Sequence, residues 1–198
     1  MALGILISMV AAVLTAGAVQ PAGTLPRVLV ETELGEIEIE VDPIRAPNTA
    51  ANFLKYVDGG FYDGGRFHRT VKPDNQPDKT VKIEVIQASA SATRVRDLFP
   101  PIALERTNVT KLTHSDGVVS MARTEPDTAR DQFFICIGNQ PELDFGGKRN
   151  PDGQGFAAFG RVIRGMEVVR KIQAAPADAQ TLTPPIRIIR ARRVGNKG

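Results

Sequence analysis

Hydrophobic and polar residues alternate strictly over residues 36–41, with a period of two. Ile37, Ile39 and Val41 would share one face of an extended chain, and three glutamates would share the other. The alternation therefore predicts a β-strand with one buried face. A second run, Arg27–Thr32, precedes it across a Leu-Gly pair that is typical of a turn, so we expect two consecutive strands here.

Two segments have the spacing of helices instead. Pro47–Val57 places apolar residues three and four positions apart, starts with a proline that the first turn tolerates, and is followed by a glycine pair. Asn48 or Thr49 could cap its N-terminus. Gly165 to Gln173 is the second predicted helix. The apolar stripe of the first helix consists of Ala50, Phe53, Leu54 and Val57.

Short apolar runs separated by turn residues predict the remaining strands. Lys72–Lys79 is polar and holds two prolines, so it is predicted to be a loop, and Ala174–Pro185 is interpreted as a linker rich in alanine and proline. Many short strands with only two helices favour a β-barrel or a β-sandwich. The predicted strands are Arg66–Val71, Thr80–Ala88, Gly117–Ala122, Gln132–Ile137, Phe156–Val162 and Ile186–Val194, the last with Ile186, Ile188 and Arg190 on one face.

Composition is that of an ordinary globular protein with one domain. The chain has 198 residues, of which 42% are hydrophobic and 24% charged. Its formal net charge is only +3 and its cations are scattered, apart from four arginines near the C-terminus that we interpret as the solvated face of the last strand. We therefore predict no nucleic-acid binding, which usually needs a denser basic face with stacking aromatics.

The N-terminal segment departs from this composition. Residues 2–19 carry no charge and end in a small-x-small triplet of the kind that signal peptidase cleaves. The sequence thus predicts a signal peptide over residues 1–18, a linker over 19–26, a domain over 27–198, and a periplasmic or secreted protein without stable membrane insertion after cleavage. No lysine or arginine precedes the apolar run, so an uncleaved membrane anchor stays an alternative.

Familiar catalytic and metal-binding motifs do not occur. The sequence has no nucleophile elbow, no phosphate-binding glycine loop and no zinc-protease helix motif, and its two histidines, His68 and His114, are too few for a histidine-rich zinc site. Cys136 is the only cysteine and lies in an apolar strand, which predicts a small buried side chain. We expect no cofactor and no metal.

Several segments together resemble the cyclophilin family of peptidyl-prolyl cis-trans isomerases. The similarity covers roughly Val28 to Gln173, and it implies a closed eight-stranded antiparallel barrel capped by two α-helices, with a peptide groove on its outer face. It also implies proline-containing polypeptides as partners. The segments are Asn52-Phe53, Phe61–Gly64, Phe67–Arg69, Ile86–Ala88, Gly117–Ala122, Gln132–Ile135, Phe156–Val162 and Gly165-Met166.

The resemblance also implies the residues of the site. Arg69 would donate to the nitrogen of a twisted prolyl amide, Gln87 would hold the substrate backbone and orient Arg69, and Phe134 would form the floor of the proline pocket. His68 is interpreted as structural, since the reaction needs no proton transfer. The expected substrate-binding residues are Phe67, Met121, Ala122, Gln132, Leu143 and Phe156.

The sequence departs from the family pattern near this pocket. Glu84 and Val85 stand where the family usually has Phe-Met, and Glu142 stands where it often has an aromatic residue. We therefore expect an altered pocket. The glycine-rich segment Phe145–Gly155 could lie over the groove. Two functions follow: an active isomerase, expected as a monomer and acting on exported proteins, or a proline-peptide binding module or chaperone with weak or no turnover.

Overall fold

The structure is a computed structural model that describes residues 24–195. The predicted signal peptide lies outside the described residues, as do residues 19–23 of the predicted linker. Within residues 24–195, no helix has both the length and the apolar character needed to cross a membrane. The strands are β1 (Arg27–Thr32), β2 (Gly35–Val41), β3 (Arg66–Val71), β4 (Val85–Ser89), β5 (Val118–Met121), β6 (Phe133–Cys136), β7 (Ala157–Arg164), β8 (Ala177–Asp178) and β9 (Thr181–Val194), and the helices are α1 (Pro47–Asp58), α2 (Thr107–Thr110) and α3 (Met166–Ala174).

Eight of these strands form a closed antiparallel barrel, in the order β1-β2-β7-β5-β6-β4-β3-β9. The barrel closes because β9 pairs with β1, with Arg27 opposite Val194. The short strand β8 lies outside the barrel and pairs with β9 alone. Helix α1 packs against β7 and β9, and α3 packs against β2, β3 and β4. The mainly β prediction of an eight-stranded barrel is therefore confirmed.

Alternating side chains of the strands and the apolar faces of α1 and α3 fill the barrel interior. Ile37, Ile39 and Val41 of β2 are completely buried, as their period-two pattern predicted. The ring of Phe53 in α1 packs against Phe133 at 5.4 Å and Phe159 at 4.9 Å between ring centroids. The stripe predicted for the first helix thus faces the core.

The cap of α1 comes from a distant part of the chain. Neither Asn48 nor Thr49 caps the helix with its own side chain. Instead, the carboxylate of Glu105 accepts hydrogen bonds from the backbone N–H of Asn48 at 3.1 Å and of Thr49 at 2.8 Å. A carboxylate satisfies these free N–H groups and is favoured by the positive end of the helix dipole. The predicted local cap was therefore wrong.

The predicted strand Thr80–Ala88 is shorter than expected, because β4 begins only at Val85. The side chain of Gln76 binds the backbone of Ile83 through both its amide nitrogen, at 2.8 Å, and its amide oxygen, at 3.3 Å. A side-chain amide thus takes the hydrogen bonds that a neighbouring strand would otherwise supply.

The predicted linker Ala174–Pro185 is also wrong, since it contains β8 and the first residues of β9. A tight turn with Ala179 at a φ of 49° joins the two strands. The two prolines of β9 lie in an interruption of its pairing with β3, so their missing N–H groups break no ladder hydrogen bond. Further along, the pairing of β9 with β1 shifts register, and Ala191 rather than Arg190 follows Ile188 into the core.

Candidate active site

Arg69 reaches the outer face of the barrel through a bulge in β3. Phe67 lies opposite Ala88 of β4, while Arg69 lies opposite Gln87, so that His68 is the extra residue. Two residues separated by one position normally share a face of a strand. The bulge breaks this rule, and it lets Phe67 enter the core while Arg69 points outward beside Gln87.

A row of side-chain hydrogen bonds runs from Arg69 on β3 across β4 to the residue that precedes β6. Nη1 of Arg69 donates to Oε1 of Gln87 at 3.0 Å, and Nε2 of Gln87 donates to Oε1 of Gln132 at 2.7 Å. Gln132 stands immediately before β6. The structure therefore brings three of the predicted site residues together in one row.

A fourth residue, Gln180, holds the other side of the guanidinium. Its Oε1 accepts from Nε of Arg69 at 3.0 Å and from Nη2 at 2.6 Å, while its own Nε2 donates to the carbonyl of Asn75 at 3.1 Å. Asn75 in turn donates to the carbonyls of Thr70 and Ala179, each at 3.0 Å. The turn between β8 and β9 is thereby fastened beside Arg69.

The charge of Arg69 is oriented by neutral groups. Its hydrogen-bonding partners are two glutamines, and within residues 24–195 no carboxylate forms an ion pair with it. A guanidinium has five N–H groups, and these bonds use three, which leaves one on each terminal nitrogen. Burial, together with the charge of Arg149, lowers the pKa of Arg69. Because the ordinary pKa of an arginine lies far above neutral pH, the side chain stays protonated.

An apolar pocket lies next to the guanidinium. Phe134 forms its floor, and Val85, Leu143, Phe156 and Ala122 contribute to its walls in a cavity of about 450 Å³ that also contacts Arg69 and Gln87. These residues belong to a small apolar cluster separate from the barrel core. The rings of Phe134 and Phe156 meet edge to face, with 5.3 Å between their centroids.

His114 supports the floor of the pocket from behind. Its ring stacks on Phe134 at 5.9 Å between centroids, with an angle of 16°. Nδ1 lies 2.7 Å from Oδ1 of Asp144, and Nε2 lies 2.9 Å from Oγ of Ser120. Both ring nitrogens therefore have a hydrogen-bonding partner, and the imidazole is fixed in one orientation.

Glu84 and Glu142 do not alter the pocket as expected, because both point elsewhere. Oε2 of Glu84 accepts from Nε2 of Gln173 in α3 at 3.0 Å, and Ile83 supplies the apolar wall instead. Oε2 of Glu142 accepts from the backbone N–H of Lys148 at 2.7 Å. The pocket therefore has an apolar floor in spite of the two substitutions.

Two residues predicted to bind substrate lie inside the barrel. Phe67 is completely buried in the main core, where its ring packs against Phe133, and Met121 is only 1% exposed in the same core. On β5, Val119 and Met121 both belong to the main core, as alternation along a strand requires, whereas Ser120 between them contacts His114 behind the pocket. The assignment of Phe67 and Met121 to the groove was therefore wrong.

Comparison with known proteins agrees with this geometry. Residues 27–193 match the family described as "Cyclophilin type peptidyl-prolyl cis-trans isomerase/CLD". The chain belongs to this family. It is 36% identical over 152 residues to peptidyl-prolyl cis-trans isomerase A of Dickeya dadantii, which covers 76% of this chain and 73% of that protein. It is also 34% identical over 168 residues to a peptidyl-prolyl cis-trans isomerase of Acinetobacter baylyi, covering 83% and 82%.

Solved cyclophilin structures have the same fold. A cyclophilin-type isomerase of Cryptosporidium parvum, crystallised in the presence of the dipeptide Ala-Pro, superposes with a TM-score of 0.67 at 22% identity. The superposition covers 86% of this chain and 99% of that one.

Sequence reasoning missed three residues at the site of this cyclophilin. Gln180 lay in the supposed linker, and Ile83 lay in a stretch interpreted as regular strand. Arg149 lies in the glycine-rich segment, and its side chain lines the pocket. The placement of all three depends on loop conformations that hydrophobic periodicity does not encode. Phe145–Gly155 was expected to lie over the groove, and Arg149 reaches it from there.

The prediction that Cys136 is a small buried side chain is confirmed. Cys136 is completely buried, and burial raises the pKa of its thiol well above the ordinary value. Burial and the charges of Arg66 and Arg69 lower the pKa of His68, which is therefore neutral near pH 7. No group of three potential metal ligands occurs in the described part of the chain.

Proposed function

We propose that this cyclophilin-type peptidyl-prolyl cis-trans isomerase works at the groove around Arg69, on X-Pro bonds of exported proteins. The observation that carries the proposal is the guanidinium of Arg69, which is oriented by two glutamines beside an apolar pocket and keeps two N–H groups for a substrate.

The main catalytic requirement of the reaction is a hydrogen-bond donor placed at the prolyl nitrogen. An amide resists rotation with a barrier of roughly 18–20 kcal/mol because its C–N bond has partial double-bond character. When the prolyl amide twists, the nitrogen regains a lone pair that can accept a hydrogen bond. A fixed, charged donor stabilises that twisted state more than either planar state, which lowers the barrier. No covalent bond is made or broken.

The remaining groups hold the substrate. The proline ring fits the pocket over Phe134, between Leu143 and Phe156, where apolar contact replaces water. Gln87 and Gln132 keep free amide N–H groups for carbonyls of the peptide backbone. The Ala-Pro dipeptide used with the Cryptosporidium cyclophilin supports a proline-containing ligand.

Replacing Arg69 tests the mechanism. We expect Arg69→Ala to lower kcat/KM on a blocked Ala-Pro peptide by about 10²–10³-fold, the usual loss when one preorganised donor is removed. Arg69→Lys keeps the charge but loses the planar guanidinium, so its kcat/KM should lie between the values of the wild type and of Arg69→Ala. Rates are measured by a protease-coupled assay and by NMR exchange between the cis and trans peptide signals.

Arg161→Ala serves as the matched control. Arg161 lies on β7, exposed and paired with Glu40, away from the pocket, and its loss should leave the rate unchanged. An Arg69→Ala protein that folds normally and retains wild-type turnover would contradict the mechanism. Wild-type protein that binds the peptide without speeding the exchange would identify a binding module or chaperone instead.

The exported location rests on the uncharged N-terminal run of residues 2–19. We expect most of the protein in the periplasmic or culture fraction as a monomer that has lost the first 18 or so residues. N-terminal sequencing of the fractionated protein measures the cleavage position, and size-exclusion chromatography measures the oligomeric state. A mature protein that starts at Met1 and sediments with membranes would favour the uncleaved anchor.

A further inference from the structure

The rim of the proline pocket is strongly basic. Four cationic side chains, Arg69, Lys79, Arg123 and Arg149, line the cavity, and no aspartate or glutamate does. One of them is neutralised, because Arg123 forms a two-pronged ion pair with Asp152 at 2.7 and 3.0 Å. Within residues 24–195, the other three have no carboxylate in an ion pair.

Arg149 is held at this rim by neutral acceptors. Its Nη1 donates to Oε1 of Gln76 at 2.8 Å and to the carbonyl of Val81 at 2.7 Å. The backbone N–H of Arg149 also donates to the carbonyl of Glu142 at 3.1 Å, which fixes the start of the side chain. These contacts leave the N–H groups of Nε and Nη2 for a ligand.

The two arginines of the rim are close enough to affect one another. The positive charge of Arg149 lowers the pKa of Arg69, and both side chains are partly buried, where water screens their repulsion poorly. Two like charges held near each other by neutral amides leave a positive potential over the pocket. A carboxylate placed between them would be attracted to both and would relieve their repulsion.

We propose that this rim selects proline peptides with an acidic side chain next to the proline, and that Arg149 is the residue that contacts the carboxylate. The inference rests on the proposed function, because it assumes that the proline occupies the apolar pocket. Neighbouring Cα atoms are 3.8 Å apart, so a glutamate beside the bound proline can reach the rim of the same cavity.

The test compares peptides that differ only in charge. Peptides blocked at both ends carry Glu, Gln, Ala or Lys directly before or directly after the proline, so that no terminal carboxylate competes. NMR exchange gives kcat/KM, and NMR titration gives Kd, for the wild type, Arg149→Gln and the control Arg161→Gln. Glutamine at position 149 can still donate to neighbouring acceptors, which limits disturbance of the loop.

We expect the wild type to prefer Glu over Gln by about three- to fivefold at low salt in at least one of the two positions, as for a single partly exposed ion pair. The Glu/Gln ratio should decrease at 0.5 M salt, because salt at this concentration shortens the distance over which charges attract to less than about 10 Å. Arg149→Gln should bring the Glu/Gln ratio to about one, and Arg161→Gln should leave it at the wild-type value.

A wild-type Glu/Gln ratio of one at both positions overturns the proposal. So does a ratio that survives Arg149→Gln, which would mean that Arg149 only fastens its loop to residues 76–81. If no peptide is isomerised, the proposed function fails, yet the ratio of Kd values for the Glu and Gln peptides still decides whether the rim recognises acidic peptides.

Discussion

At the scale of single residues, the site depends on how neutral amides orient charged groups. Gln87 and Gln180 point Arg69 toward the pocket, and Gln76 points Arg149. A carboxylate in any of these positions would orient an arginine equally well but would cancel its charge. Amides therefore combine fixed geometry with a positive potential that is still available to a substrate.

His68 gives a prediction about pH at this scale. Its pKa in the folded protein is lowered by burial and by the charges of Arg66 and Arg69, whereas in the unfolded chain it is near 6.5. Between these two values the unfolded chain binds more protons than the folded protein, so the free energy of unfolding decreases as the pH falls through this window.

We therefore expect wild-type protein to lose more stability between pH 7.5 and pH 5 than His68→Gln, because glutamine does not titrate. Urea unfolding of both proteins at several pH values measures the difference between their free energies of unfolding. The carboxylates contribute equally to both proteins, so their contribution cancels in this difference. Parallel curves for the two proteins would show that the titration of His68 is not linked to folding.

At the scale of elements, the hairpin of β8 and β9 is the part of the fold most closely tied to the site. Its turn carries Gln180, and Asn75 fastens the turn to the end of β3. This hairpin therefore fixes Arg69 from the side opposite to Gln87.

Gln180→Ala should remove two of the three hydrogen bonds that orient Arg69. We expect kcat to fall about tenfold with little change in KM, because a misdirected donor costs transition-state stabilisation more than binding. Gln180→Glu, which keeps an acceptor oxygen in place, should recover part of the loss. Steady-state kinetics measure the change in kcat, and the NMR signal of Arg69 Nε–H reports the change in the orientation of the guanidinium.

Arg161→Ala is the control for this hairpin experiment as well, since Arg161 pairs with Glu40 and does not line the pocket. A kcat that is equally reduced in Arg161→Ala would point to a general loosening of the fold. An unchanged Arg69 Nε–H signal in Gln180→Ala would contradict the positioning role.

Elements with a regular period could be predicted from the sequence, and those held by side chains could not. The strand with alternating glutamates and the helix beginning at Pro47 were predicted almost to their ends, because burial of one face imposes the period. The late start of β4 at Val85 and the cap from Glu105 depend on single side chains that bind backbone groups of another segment.

At the scale of the whole molecule, the resemblance to cyclophilins predicted the barrel and the row of Arg69, Gln87 and Gln132. It did not predict every position of the groove. Phe67 and Met121 are close in sequence to real groove residues and yet face the interior. The bulge at His68 decides this for Phe67, and alternation along β5 decides it for Met121. A motif gives the position of a residue along the chain, whereas the direction of its side chain depends on the register.

The pairing of β1 with β9 has a consequence for how the molecule is made. The first strand of the barrel hydrogen-bonds to the last, so the ring cannot be completed until the chain has emerged as far as Val194. A nascent chain therefore keeps an unpaired β1 edge until β9 has been synthesised, because the two strands lie far apart in the sequence. Until β9 is available the closed barrel cannot form, and the open edge of β1 stays able to pair with a strand of another chain.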